Sequence, residues 1–347
     1  MRSNKRLAVV LICAGLALAS PNSASPPPAP FVHKKKYVMG TVFEIVAYGN
    51  PLAPVSDAID KAFEEIVRLD DVMSDYKSDS ALSRLNRSAH FHPASVPPDL
   101  YRVIEESLRY SRLSAGKFDV TVGPLVKLWK AAIRGERPPS SAEEQRLRAC
   151  VGYQNVELLS PDRIEFRSPC VQIDLGAIGK GYALDRAADV LRSHGVSHAL
   201  LNAGGSTIFA LGAPPGQTTW LVHLRDPSNK RDPQVRLSDN SVSTSEQTPP
   251  SLISQESAGH IIDPDTGMPL RTQFAVSIVA KTATASDALS TTLLLVGPEK
   301  GKEIVESVAD VAAVWIASDG TSKVASSGPQ ILLPNDTQGL ARRAKTE

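Results

Sequence analysis

Apolar positions along the chain change period several times, and each change predicts an element. Residues 7–19 form an unbroken apolar run behind Arg2, Lys5 and Arg6 and close in Ala17, Leu18 and Ala19. That order of basic, apolar and small residues reads as a secretory signal over residues 1–19. At about 13 residues the run is shorter than the ~20 that span a bilayer as a helix, and an uncleaved anchor is the alternative. Residues 20–36 carry Pro26, Pro27, Pro28 and Pro30, then His33, Lys34, Lys35 and Lys36. So little apolar content predicts a proline-rich, basic linker, solvated unless an anionic membrane or partner surface takes up the lysines. β-Branched and aromatic residues predict a strand over 37–48. Ser56 then offers an N-cap, and Ile59, Phe63, Ile66 and Val67 recur at helical spacing up to Asp70 and Asp71.

Further helices are predicted over 99–114, ended by Gly116, and over 142–149 behind a loop at 137–141. A hairpin of strands 156–159 and 163–167 turns at Ser160, Pro161 and Asp162 and leads into a strand at 171–175. A glycine-rich turn, a helix over 182–193 and strands at 199–202 and 206–211 come next. Hairpins mixed with crossover helices, without an internal repeat, predict the α+β class (mixed α/β). The folded domain is expected over 37–330, with a polar tail at 331–347.

Composition narrows the function. The chain has 347 residues, 42% of them hydrophobic and 22% charged, which excludes disorder throughout. Lys and Arg number 38 against 37 Asp and Glu, and aromatics are 5%, so neither electrostatic capture nor stacking of nucleic acid is supported. Beyond the signal only Cys150 and Cys170 remain. In an exported, periplasmic protein they are free to pair, and two buried thiols are the alternative.

Three segments could carry chemistry. From Asp174 to Asp185 a strand end, a glycine turn with Lys180 and a helix start form a plausible phosphate cradle, although the order of glycines matches neither the dinucleotide fingerprint nor the Walker loop. A merely tight strand-to-helix turn is the other reading. In the second segment Ser286 reads as an N-cap and Gly297 as a stop, and Asp287 and Thr291, four apart, share a helix face. One carboxylate and one hydroxyl suit Mg²⁺, while an Asp in a first helical turn is also favoured by the macrodipole alone. In the third, His260 stands before Ile261, Ile262 and the turn residues Asp263, Pro264, Asp265, Thr266 and Gly267; it is either a general base or a structural imidazole.

Taken in order, these segments resemble the ApbE family of FAD:protein FMN transferases. The resemblance runs from about Tyr37 to about Ile316, through Met39-Gly40-Thr41, Met73 to Lys77, Ser83 to Asn86, Phe118 to Leu125, Asp174 to Asp185, Asn202 to Gly205, His260 to Pro264 and Ala285 to Gly297. It implies a two-lobed fold with mixed sheets and packed helices. The implied activity is Mg²⁺-dependent transfer of FMN from FAD to a Thr or Ser hydroxyl of an acceptor flavoprotein, a membrane or periplasmic redox subunit, with release of AMP. It further implies that Met39, Tyr76, Phe118, Asp119, Asp174, Lys180 and Ile262 line the FAD site. Asp287, Thr291 and the carbonyl of Ala177 would hold the metal, and His260 would deprotonate the incoming hydroxyl. From the residues alone, Met39, Tyr76 and Phe118 read equally as core, and Asp119 and Asp174 as caps. FAD hydrolysis to FMN and AMP, or flavin binding without turnover, are the competing functions.

Two departures stand out. Ser206 follows the glycine pair where the family usually has Asp or Asn, and residues 243–250 lack the family's Gly, aromatic and Arg after the Ser. Both bear on the acceptor more than on FAD and Mg²⁺.

Overall fold

The computed structural model describes residues 29–135, 139–230, 232–247, 261–329 and 331–332. In chain order its elements are β1 (Phe31–Val38), β2 (Thr41–Tyr48), α1 (Leu52–Met73), α2 (Ala81–Ser88), β3 (Ala94–Ser95), α3 (Pro98–Leu113), α4 (Gly123–Ile133), α5 (Ser141–Arg148), β4 (Val156–Leu159), β5 (Arg163–Phe166), α6 (Gly179–Ser193), β6 (Ala199–Ala203), β7 (Thr207–Leu211), β8 (Trp220–His223), β9 (Gln234–Leu237), β10 (Asn240–Glu246), β11 (Phe274–Ala280), α7 (Ala283–Ser307), β12 (Ala312–Ala317), β13 (Ser322–Ser326) and β14 (Ile331–Leu332). Eight strands form a sheet in the order β1-β2-β6-β7-β10-β11-β12-β13, and two three-stranded sheets run β14-β9-β8 and β3-β5-β4. The pairs of neighbouring strands are antiparallel. The α+β class follows.

Alternation along the central strands sorts their two faces. Phe43, Ile45, Leu201, Phe209, Ile278 and Trp315 join the core shared with α1, α6 and α7. Leu200, Ile208, Val279, Val314 and Ile316 point the other way and meet Trp220, Val222, Val235 and Leu237 of the small sheet β14-β9-β8. The central strands are therefore apolar on both faces, unlike a half-solvated antiparallel sheet. No helix among the described residues is long and apolar enough to cross a membrane.

Several expectations need correction. The linker expected through Lys36 gives way at Phe31 to β1, an edge strand in which Lys34 pairs with Asp60 (2.7 Å) while Lys35 and His33 reach Glu44 (3.1 and 3.2 Å). An edge strand tolerates charge because one side of its ladder is open, so composition resembled a tether. The single strand expected over 37–48 is broken near its start by a two-residue turn at Met39 and Gly40, with φ of 52° and 74°, the paired positive values of a tight hairpin. α1 begins at Leu52, which leaves Ser56 inside it. Thr282, not Ser286, caps α7, accepting from Ala285 N–H at 3.1 Å. Gly297 does interrupt the helix (φ 76°), although helical turns resume after Pro298. Ile331 and Leu332, assigned to the tail by composition, pair with β9 as β14.

The expected strand at 171–175 is absent. A lone bridge joins Gln172 to Val122, Asp174 N–H donates to the Val120 carbonyl (2.8 Å), and the Asn86 side chain takes both polar groups of Ile173, accepting from its N–H (2.8 Å) and donating to its carbonyl (2.9 Å). A side-chain amide thus replaces a partner strand, which hydrophobic pattern cannot signal. Cys150 and Cys170 are joined in a disulfide, tying the end of α5 to the chain just before Gln172.

One glycine sets how closely two helices pack. A Cβ on Gly181 would lie 2.2 Å from the Ala283 carbonyl oxygen and 2.8 Å from Asp287 Cβ, so α6 meets α7 backbone to backbone. We predict that Gly181→Ala costs about 1–3 kcal/mol or more through overpacking, read from urea midpoints; a midpoint equal to wild type would show that the helices can part without cost. We also predict that Cys150→Ser with Cys170→Ser loses about 3 kcal/mol, as expected for releasing a loop of this length (sequence separation 20), and that the double variant's stability no longer responds to reductant.

Candidate active site

A cleft of about 1380 Å³ opens where the β1–β2 turn, the β6–β7 turn, the glycine turn before α6 and the first half of α7 come together. Met39, on the hairpin turn, projects into it and packs towards Gly179, where an added Cβ would lie 3.7 Å from Met39 Cε. Gly204 (φ 63°) crosses Thr41 so closely that any Cβ would strike the Thr41 hydroxyl at 2.2 Å. That contact brings the two turns side by side. Ser206 lines the cleft, but its hydroxyl is bonded back to the Ala203 carbonyl (3.1 Å).

The glycine turn and α7 are joined directly. Asp174 accepts from Gly176 N–H (2.7 Å), and Lys180 donates to the Gly176 carbonyl (3.1 Å), which folds the turn onto itself. Asp287, buried, accepts from Gly181 N–H (2.9 Å) through Oδ2 and from the Thr207 hydroxyl (3.2 Å) through Oδ1, with the Lys180 ammonium 3.9 Å from Oδ1. Ala177, Lys180, Asp287 and Thr291 all line the cleft. Among the described residues no three His, Cys, Asp or Glu gather as a metal cluster. The oxygen set is one carboxylate, one hydroxyl and one carbonyl, hard donors that fit Mg²⁺, an ion that takes few protein ligands and is completed by water and substrate phosphate.

Behind Asp287 lies a buried hydroxyl network between β10 and α7. Ser241 meets Ser286 (2.8 Å), Ser243 meets Thr207 (3.0 Å) and Ser290 (3.3 Å), and Ser245 meets Ser290 (2.7 Å) and Thr291 (3.4 Å). These bonds account for so many Ser and Thr residues on buried faces of both elements.

Phe118 and Ile262 are buried and border the cleft. Asp119 borders it too, but its carboxylate is occupied: it accepts from Thr121 N–H (2.8 Å), the Thr121 hydroxyl (2.6 Å) and Tyr153 N–H (2.8 Å). Burial pushes its pKa up despite these bonds. Tyr76 is largely exposed, and its hydroxyl accepts from the Lys130 ammonium. The turn after residue 260 is clamped on three sides. Lys117 bonds Asp263 (2.9 Å) and Asp265 (2.7 Å), Trp129 donates to the Gly267 carbonyl (2.8 Å), and the Gln247 amide accepts from Ile261 N–H (2.8 Å) while donating to its carbonyl (3.0 Å). His260 lies outside the described residues. Of the stretch that departs from the family pattern, Ser245, Glu246 and Gln247 are all engaged, Glu246 with Arg225.

The sequence reading missed four residues that hold this geometry: Asn86, Asp185, Thr207 and Gln247. Asn86 and Asp185 stood inside recognised motifs without a role. Thr207 and Gln247 had no signal, because their partners are distant in the chain. Asp185, on α6, accepts from Ala283 N–H (2.7 Å), Thr284 N–H (2.8 Å) and the Thr284 hydroxyl (2.5 Å), capping α7 from outside. Burial raises its pKa against those bonds. The native state then binds its proton more readily than the unfolded chain, so this group's contribution to stability is full below the unfolded value of about 3.9 and lost as pH rises through the native value. We predict that Asp185→Asn, which turns an NH₂ towards donors, costs about 1–3 kcal/mol at neutral pH and flattens stability against pH in that window. Denaturant midpoints measured across pH, unchanged in size and slope, would refute this role.

Known proteins share this chain's sequence pattern and fold. The sequence model of the ApbE family matches residues 39–315. A protein of Treponema pallidum (strain Nichols) named FAD:protein FMN transferase is 32% identical over 307 residues, covering 82% of this chain and 84% of its own. One of the same name from Escherichia coli (strain K12) is 29% identical over 302 residues, covering 84% and 86%. The solved structure of the flavin transferase ApbE from Vibrio cholerae superposes with a TM-score of 0.76 at 29% identity, over 86% of this chain and 98% of that one. With the family match spanning most of its length, this chain belongs to the ApbE family.

Proposed function

We propose that this protein is an FAD:protein FMN transferase that moves FMN from FAD to a Thr or Ser hydroxyl of an acceptor flavoprotein and releases AMP, with Mg²⁺ as its cofactor. One observation carries the reading: the start of α6, which follows the glycine turn and bears Lys180, and the helix bearing Asp287 and Thr291 are bonded together, through Gly181 and Asp287, on the wall of a cleft large enough for a dinucleotide. The names borne by the relatives support the flavin chemistry. The disulfide supports an exported, periplasmic location, since such bonds persist where thiols are not kept reduced.

The chain's residues divide the work. Met39, Phe118 and Ile262 supply apolar wall, and Lys180 supplies a cation beside the turn that approaches the diphosphate. Asp287, Thr291 and the Ala177 carbonyl would hold Mg²⁺, which when bound neutralises charge on the diphosphate. Gly181 and Thr207 orient Asp287 before any ligand arrives, so little reorganisation is left for the reaction. His260, assigned by its motif, takes the proton of the acceptor hydroxyl. That oxygen forms a bond to the FMN phosphorus as the bond from this phosphorus to the bridging oxygen breaks, and AMP departs with the bridging oxygen.

We predict that purified protein with FAD, Mg²⁺ and a flavoprotein acceptor yields acceptor carrying covalent FMN, seen as a mass gain and in-gel flavin fluorescence. AMP formed equally fast without acceptor would replace transfer by hydrolysis, and FAD persisting intact with several acceptors would leave only binding. We predict further that Asp287→Ala abolishes turnover and weakens FAD binding chiefly when Mg²⁺ is present. An unchanged Mg²⁺ dependence of FAD affinity would remove Asp287 from the metal.

A further inference from the structure

Lys130 lies in the last turn of α4, half-buried, and lines the cleft together with Asp174. It had no place in the sequence motifs. The other lysines on this side of the molecule are engaged by groups of the protein. Lys117 is held by Asp263 and Asp265, Lys127 donates to Gln172 (2.8 Å), and Lys180 donates to its own turn. The Lys130 ammonium, which carries three protons to donate, has one hydrogen bond among the described contacts, to the Tyr76 hydroxyl, and stands 4.9 Å from the centroid of that ring. Burial works against its charge, but Asp174, Tyr76 and Asp75 more than offset this and hold its pKa above the ordinary lysine value.

Asp174 is the natural counterpart. Its Oδ1 closes the glycine turn on Gly176 N–H, and among the described contacts its Oδ2 accepts nothing. A charged donor with protons to spare and an acceptor with lone pairs to spare therefore line one cleft, close enough for the carboxylate to favour the charge of the ammonium. Such groups complement the edge of a heterocycle that presents a hydrogen-bond acceptor next to an N–H. Both rings of FAD have such an edge: the imide of the isoalloxazine, with N–H beside carbonyl oxygens, and the Watson–Crick edge of adenine, with an amine beside a ring nitrogen. A diphosphate would instead seek several donors and no carboxylate.

We propose that Lys130 is a further ligand-binding residue of this cleft, donating to the acceptor atom of a heterocycle edge of bound FAD while Asp174 accepts from the neighbouring N–H. The inference rests on the FAD reading of the site. Losing one charge-assisted hydrogen bond predicts about tenfold weaker binding of FAD to Lys130→Met, measured by calorimetry with the full chain and Mg²⁺. Riboflavin and AMP, titrated separately, identify the ring: the loss reappears with the fragment whose edge Lys130 meets and is absent from the other. Lys130→Arg recovers most of the affinity, and the unfolding temperature of Lys130→Met stays at the wild-type value.

FAD affinity of Lys130→Met within about twofold of wild type would overturn the proposal. So would a loss shared equally by both fragments, or one that tracks a fall in unfolding temperature, since either marks a structural role through Tyr76. Failure of the wild-type chain to bind FAD at all would sink the underlying reading and this inference with it, and is distinguished by the wild-type titration alone.

Discussion

The site depends on a backbone-to-backbone approach of α6 and α7 that only glycine permits. With no side chain at position 181, the peptide N–H there reaches the Asp287 carboxylate, and the glycine turn that leads into α6 is carried up against the face of α7 that bears Asp287 and Thr291. Asp185, one turn further along α6, holds the first N–H groups of α7 and fixes the helices at that separation. A helix start must find partners for its free N–H groups in any fold. Here the partner comes from the other helix, so a capping requirement becomes a means of registering two halves of a site.

The rest of the cleft is built on the same economy, in which polar groups that must be satisfied in the interior also position chemistry. Side-chain amides of Asn86 and Gln247 each take both the N–H and the carbonyl of a single residue, Ile173 and Ile261, and so anchor two wall segments that belong to no strand. The hydroxyls of β10 are bonded into those of α7, which restrains Asp287 and Thr291 from behind. Asp119 serves its own loop through three hydrogen bonds while bordering the cleft. Its cap reading and its wall position are therefore both true of one residue. Tyr76 and Lys130 differ from these groups because they are open to the cleft or to solvent and retain capacity for a ligand.

Much of the fold was legible because it follows local rules. Apolar period located most of the helices and the β4–β5 hairpin, and Gly297 interrupts α7 where a stop was expected. Two of the failures share one cause. β1 looked like a linker because edge strands accept lysines, and the stretch at 171–175 looked like a strand although its partner is a side-chain amide from α2. In both cases the deciding partner lies far along the chain or in solvent, where no window of neighbouring residues records it.

Sequence by itself determined the class of the fold, the family and the residue types available for an oxygen-ligand site, because periodicity, turn chemistry and ordered motifs are properties of the chain read locally. Tertiary structure alone decided that Cys150 pairs with Cys170, that Asp287 is oriented by Gly181 and Thr207, and that Lys130 and Asp174 line one cleft. Each of these depends on which distant backbones pack within hydrogen-bonding reach, and that distance is set by the whole core, not by any one segment.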